Sequence, residues 1–247
     1  MTRPPPETVA RAVLAREHPG AVGAFMAGSI VRGEATETSD IDLVVLYASL
    51  EHAWRHSLEL DGWPVEVFVH DPETLAWFFE EDRKQGIPSM HSMVAEGWIL
   101  GDHPLLQAAR DRARAGLAAG PPPWNPDSAR YGLTDLRDDL RSPRNPDERF
   151  AIVARLHDPL ADFWLRAQGE WSAKGKSVPR RLKAVDPVFA ARFGAAFRDA
   201  LGPDGPKDLL ALVDEVLAPH GGPRFAGFRL DAPADWRIPG SEHEEAP

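Results

Sequence analysis

Residues 27–46 read AGSIVRGEATETSDIDLVVL, and this stretch decides the fold. A Gly28-Ser29 pair precedes a short polar loop, and Asp40 and Asp42 then stand one residue apart at the head of an uncharged aliphatic run. Leu43 to Tyr47 has the composition of a buried strand. Side chains alternate across a strand, so Asp40 and Asp42 project to one face, on the order of 7 Å apart along the backbone. Two neighbouring carboxylates repel, and one takes up a proton unless a cation sits between them. Magnesium suits an all-oxygen site, because it keeps some waters and draws its remaining ligands from substrate phosphates.

Working outward, Glu7 to His18 carries apolar residues at helical spacing and stops at Pro19-Gly20. Ala21 to Ala27 predicts a small-residue strand feeding the Gly28-Ser29 turn, and Ile30 to Glu34 predicts the opening of a short helix. A further strand, Val65 to Val69, alternates so that Val65, Val67 and Val69 share one face and Glu66, Phe68 and His70 the other. If it lies beside the strand carrying Asp42, Glu66 completes a group of three carboxylates. Asp71 is a helix cap before Glu73 to Lys84, and His91 to Leu100 and Leu105 to Leu117 read as helix or mixed structure. The aromatics Trp77, Phe78, Phe79, Trp98, Phe163 and Trp164 read as core.

Three consecutive prolines in GPPPWNPD, Gly120 to Asp127, fix a stiff extended segment. The expected class is α+β, with a mixed-sheet domain over residues 1–120, a helical domain over 126–222 and an extension over 223–247. Helices are expected at Ser128 to Leu140, Asp147 to Trp171 (kinked or split by Pro159), Pro187 to Ala200 and Pro206 to Leu217. Phe225 to Leu230 reads as a strand, and the tail SEHEEAP as charged and frayed.

Composition narrows the function. The chain has 247 residues, a formal net charge of −10 and no cysteine. Thiolate zinc sites and disulfides are excluded, and the expected location is cytoplasmic. No apolar run is long enough to span a bilayer, and Met1 to Gly20 is too polar for a signal peptide. An acidic balance disfavours a polynucleotide and favours a cationic partner.

GSIVRGEATETSDIDL resembles the glycine-serine plus aspartate-x-aspartate signature of the DNA polymerase β-like nucleotidyltransferase superfamily. It is most similar to the small bacterial branch of aminoglycoside and minimal nucleotidyltransferases, and the likeness covers roughly the first hundred residues. The resemblance implies Asp40 and Asp42 as metal ligands, Glu66 as the third carboxylate and Gly28 and Ser29 as phosphate contacts. Two Mg2+ ions and a nucleoside triphosphate, ATP first among them, are implied with it. Arg32 is placed to touch the leaving pyrophosphate, and Lys174 and Lys176, flanking a glycine, to reach the triphosphate from the helical half across a cleft. Either Glu66 or an acid of that half is the general base. Asp135, Asp138 and Asp139, with Glu80, Glu81 and Asp82, are candidate linings for a polycationic acceptor.

The expected activity is transfer of a nucleoside monophosphate to a hydroxyl of a small molecule, an aminoglycoside-like cation among the candidates. Modification of a protein or RNA in the manner of nucleotidyltransferase antitoxins, or nucleotide binding without turnover, stays open as an alternative. A homodimer stays open as well.

Overall fold

The computed structural model describes residues 3–233 and 236; the other residues of the expected C-terminal extension, SEHEEAP included, lie outside the described residues. The described residues within Met1–Trp124 and Trp164–Ala190 form one compact unit, and those within Asn125–Phe163 and Ala191–Pro247 a second. One change of unit falls inside the proline segment. The division otherwise departs from the expected one, since residues 164–190 fall in the first unit.

The first unit starts with α1 (Pro6–Glu17) and a sheet of five strands: β1 (Gly23–Ala27), β2 (Ile41–Leu46), β3 (Trp54–Leu60), β4 (Trp63–His70) and β5 (Trp98–Leu100). Their spatial order is β3-β4-β2-β1-β5. Only β2 and β4 run parallel; β1 pairs antiparallel with β2 and β5, and β3 antiparallel with β4. The sheet is therefore mixed. Alternation decides which core each side chain enters. Val9, Ala10 and Val13 of α1 cover Ala24, Met26, Ile41, Leu43, Val45 and the three valines of β4. On the opposite face Phe25, Val44 and Leu46 meet Leu75, Phe79, Val94 and Leu106. These come from α2 (Pro72–Gln85), α3 (Ser89–Glu96) and α4 (Pro104–Ala119). A sheet covered on both faces explains why its central strands carry unbroken aliphatic runs.

Asp71 caps α2 as expected. Its carboxylate accepts from the Thr74 N–H at 2.8 Å, and the Asp71 N–H donates to Thr74 Oγ1 at 3.0 Å, a reciprocal arrangement that satisfies two otherwise orphaned donors. β3 and β4 are joined at Asp61-Gly62, both with positive φ (51° and 78°), the geometry a two-residue hairpin turn requires.

Several expectations are corrected. The strand β3 was not foreseen, whereas His91 to Leu100 is mixed structure as read, the end of α3 followed by β5. Residues 30–34 form turns and not a helix, because Gly33 takes the left-handed conformation (φ 71°) and the Glu34 N–H bonds back to Ser29 O at 2.9 Å. Residues 225–230 are not a strand. Trp77, Phe78 and Trp98 are exposed (57%, 37% and 46%) and not core, whereas Phe79 and Phe163 are buried.

In the remainder of the chain α5 is Asp127–Arg141, α6 Pro146–Ala167, α7 Val178–Val185, α8 Pro187–Asp199 and α9 Lys207–Leu217. Pro159 lies inside α6 without splitting it. Within the second unit, Leu133, Leu136 and Leu140 are buried, as are Leu209, Leu212, Val213, Val216 and Leu217. A two-pronged pair from Arg137 to Asp214 (2.6 and 2.9 Å) ties α5 to α9. Among the described residues no helix is long and apolar enough to cross a membrane.

Candidate active site

Parallel pairing of β2 and β4 sets Asp42 directly opposite Glu66. Asp40, two residues before Asp42, belongs to the same face, and one carboxylate oxygen from each of Asp40, Asp42 and Glu66 lies within 4.8 Å of the others. The three are partly buried. β1 completes the arrangement: its last residue, Ala27, pairs with Asp42, which brings Gly28 against that carboxylate. Gly28 has φ 84°, and a Cβ built there would stand 2.1 Å from Asp42 Oδ2. Only glycine fits, for conformation and for space.

The convergence is electrostatically expensive. Asp42 is pushed up from 3.8 to about 6, first by burial, then by Asp40 and Glu66, while Arg32 and Lys176 pull it down. Three carboxylates with a reluctant charge at their centre are an all-oxygen donor set that a hard divalent cation would relieve. On that ground the residues fit Mg2+.

Ser29 Oγ donates to Ser39 Oγ at 3.0 Å, and Ser39 Oγ accepts from the Thr36 N–H at 2.8 Å. The loop between Gly28 and Asp40 is thus closed on itself. No helix follows Ser29, and residues 29–33 form turns. A helix dipole contributes nothing here. Arg32 Nε donates to Glu34 Oε2 at 3.0 Å, and its NH1 lies 3.8 Å from Glu96 Oε2.

Lys176 sits in a single 3₁₀ turn, Gly175–Ser177, that leads into α7. Its charge is felt at Asp42 within the first unit. The cleft across which it was expected to reach is therefore unnecessary. Lys174, just before the turn, is exposed, and its carbonyl accepts from the Ser177 N–H at 3.2 Å. The segment is anchored upstream by Trp171, buried with its Nε1 donating to Leu117 O at 3.0 Å, and by the Ser172 N–H on Gly86 O at 2.8 Å. That placement leaves no face of Trp171 for a base.

Of the acidic acceptor candidates, Asp135, Asp138 and Asp139 line a cavity of about 600 Å³ in the second unit, together with Arg144, Glu148 and Arg155. The others are engaged. Glu81 bonds Lys84 at 2.6 Å, Glu80 approaches Arg83 at 3.8 Å, and Asp82 is buried. Asp82 accepts from the His91 N–H (2.8 Å) and pairs with His91 Nδ1 (2.9 Å), so it is a structural carboxylate and not an acceptor contact.

Two arginines escaped the sequence. Arg55 on β3 bonds Glu66 Oε1 and lies over the Phe68 ring at 5.2 Å. Arg180 on α7 bonds Glu34 Oε2 at 3.0 Å. No sequence signal marks either one, but the Asp61-Gly62 dipeptide would have revealed β3 and hence Arg55 beside Glu66.

Residues 8–86 match a family model described as a nucleotidyltransferase domain. Among solved structures, the chain is similar to a nucleotidyltransferase-like protein from Exiguobacterium sibiricum 255-15, at 15% identity and a TM-score of 0.45, over 86% of this chain and 74% of that one. No curated protein matches the chain.

Proposed function

We propose, from the match of residues 8–86 to a nucleotidyltransferase domain, that the chain is a Mg2+-dependent enzyme of the DNA polymerase β-like kind, which transfers a nucleoside monophosphate to a hydroxyl of a small molecule and releases pyrophosphate. The observation that carries the reading is the convergence of Asp40, Asp42 and Glu66 within 4.8 Å, with Gly28 stripped of any side chain at the same point.

In this reading Asp40, Asp42 and Glu66 hold the divalent ions, which supply Lewis-acid stabilisation of charge on the phosphoryl and leaving oxygens when bound. The rest is done by the chain. Gly28 lets the backbone approach the triphosphate, and Ser29 and the turn N–H groups bond its oxygens. Arg32 and Lys176 offset the negative charge of the departing pyrophosphate, and Lys174 is a secondary contact. The acceptor hydroxyl oxygen bonds to the α-phosphorus as the bond from that phosphorus to the bridging oxygen breaks. The hydroxyl proton passes to Glu66, whose Oε1 accepts from Arg55. ATP is the first choice of donor.

The acceptor is a cation of the aminoglycoside type. The net charge of −10 supports that choice, since an acidic surface concentrates a polycation. The test is a pyrophosphate-release screen of each nucleoside triphosphate with Mg2+ against a panel of aminoglycosides and neutral polyols. Release that needs both Mg2+ and a small acceptor is expected. Release only with a protein or RNA acceptor would refute the small-molecule assignment, and none with any acceptor would refute the activity.

A further inference from the structure

Glu34 is an exposed carboxylate with an unusual load. Its Oε2 accepts from Arg32 Nε at 3.0 Å and from Arg180 NH1 at 3.0 Å. Its backbone N–H closes the turn that carries Ser29, bonding Ser29 O at 2.9 Å. All of these residues belong to the first unit. The charges of Arg32 and Lys176 both reach Asp42. Arg180 follows Lys176 by four residues, in the first turn of α7. One glutamate therefore gathers an arginine from the Ser29 turn and an arginine from the helix that follows Lys176.

A single carboxylate oxygen shared by two guanidinium groups occupies the position a phosphate oxygen would take between them. Guanidinium forks match carboxylate and phosphate alike, and a phosphate oxyanion carries more charge for the same geometry. The pairs are also cheap to break. The side chains of Glu34 and Arg180 are each 46% exposed, and exposed ion pairs contribute little. Hydrogen bonding from Arg32, then Arg180, holds the Glu34 carboxyl below the usual range, so at neutral pH it stays an anion and competes.

We infer that Arg180 is a further phosphate-binding cation of this site, and that Glu34 is an internal substitute for phosphate that holds Arg32 and Arg180 until a polyphosphate displaces it. The inference rests on the nucleotidyl-transfer reading and adds to it a residue and a competing anion. Without a polyphosphate the two arginines stay paired to Glu34. When a polyphosphate arrives, both guanidinium groups move to it, and Glu34 turns to solvent.

The test is calorimetric titration of the full-length protein, saturated with Mg2+, with inorganic triphosphate, and with ATP as the second titrant. Glu34→Gln is expected to bind triphosphate roughly 3-fold more tightly or better, because the competitor is gone. Arg180→Ala is expected to bind about 10-fold more weakly, with Arg180→Lys between it and the wild type. A merely structural Glu34 would lose affinity when replaced, so the gain is the diagnostic sign. Weaker binding in Glu34→Gln, or unchanged binding in Arg180→Ala and Arg180→Lys, overturns the inference and leaves nucleotidyl transfer standing. Wild-type protein that binds ATP but no triphosphate does the same. Wild-type protein that binds neither removes the functional reading along with the inference. Melting temperatures confirm folding of each variant, and Glu34→Gln and Arg180→Lys carry the test if Arg180→Ala does not fold.

Discussion

Gly28 and Asp42 occupy one space: the carboxylate Oδ2 of Asp42 lies 2.1 Å from where a Cβ on Gly28 would be. Gly28→Ala therefore has to move the Asp42 carboxylate or the turn, and alanine also disfavours the positive φ by about 1–2 kcal/mol. Transfer is expected to fall at least 100-fold, with a melting temperature lowered by several degrees. An alanine variant with wild-type kcat/KM would show that this close approach serves no chemistry.

Asp42 carries a charge the fold resists. Asp42→Asn removes that charge at nearly constant shape. Turnover should disappear, while the metal-free variant should be more stable than the metal-free wild type at pH 8. A rise from 3.8 to about 6 corresponds to roughly 3 kcal/mol before screening and about 1–2 after it, since the group is only partly buried. Urea denaturation in EDTA measures this directly. A site kept at a cost to stability is what a functional constellation looks like.

The pH dependence follows from the same group. Its folded pKa lies above its unfolded value, so it binds a proton more tightly when folded. Its penalty is present in full above about pH 6 and relieved as pH falls from about 6 towards 3.8. Without metal, stability of the wild type relative to Asp42→Asn should therefore improve as pH drops through that window. Mg2+ affinity should move the opposite way, weakening below about pH 6, because the ligand must be deprotonated. Titrations at pH 5 and pH 8 giving equal Mg2+ affinity would contradict this.

Asp82 and His91 provide a structural contrast. The buried Asp82 carboxylate satisfies both the backbone N–H and the ring nitrogen of His91, and the His91 ring stacks on Phe79 at 4.3 Å. Asp82→Ala orphans two buried groups and should cost about 2–4 kcal/mol. At permissive temperature the surviving folded protein should keep its KM for nucleoside triphosphate. A large KM change without loss of stability would place Asp82 in the functional site after all.

How much of this was readable beforehand depends on whether the signal is local. Asp40, Asp42 and Glu66 were legible because strand parity puts alternate residues on one face, and the valines of β4 announce which face is core. The hairpin partner β3 was not, since Trp54–Leu60 is a mixed, largely exposed edge strand whose only strong mark is Asp61-Gly62. Ile30 to Glu34 has a helix-like composition, but Gly33 breaks it before one hydrogen-bonded turn can propagate. That residues 164–190 join the first unit is a long-range outcome with no local marker. For the same reason Lys176 was expected to act from another domain, and Arg55 and Arg180 looked like any surface arginine. Trp77, Phe78 and Trp98 were misread because apolar composition alone does not say which side of a helix or edge strand faces inward.

The central claim is that Asp40, Asp42 and Glu66 share divalent ions with a nucleoside triphosphate. Crystals of the protein grown with Mn2+ and a non-hydrolysable ATP analogue, with data collected at the manganese edge, address it most directly. Anomalous peaks within about 2.0–2.3 Å of oxygens from all three side chains and of the phosphates are predicted. Manganese bound elsewhere, or an analogue seated with these three carboxylates ion-free, would contradict it.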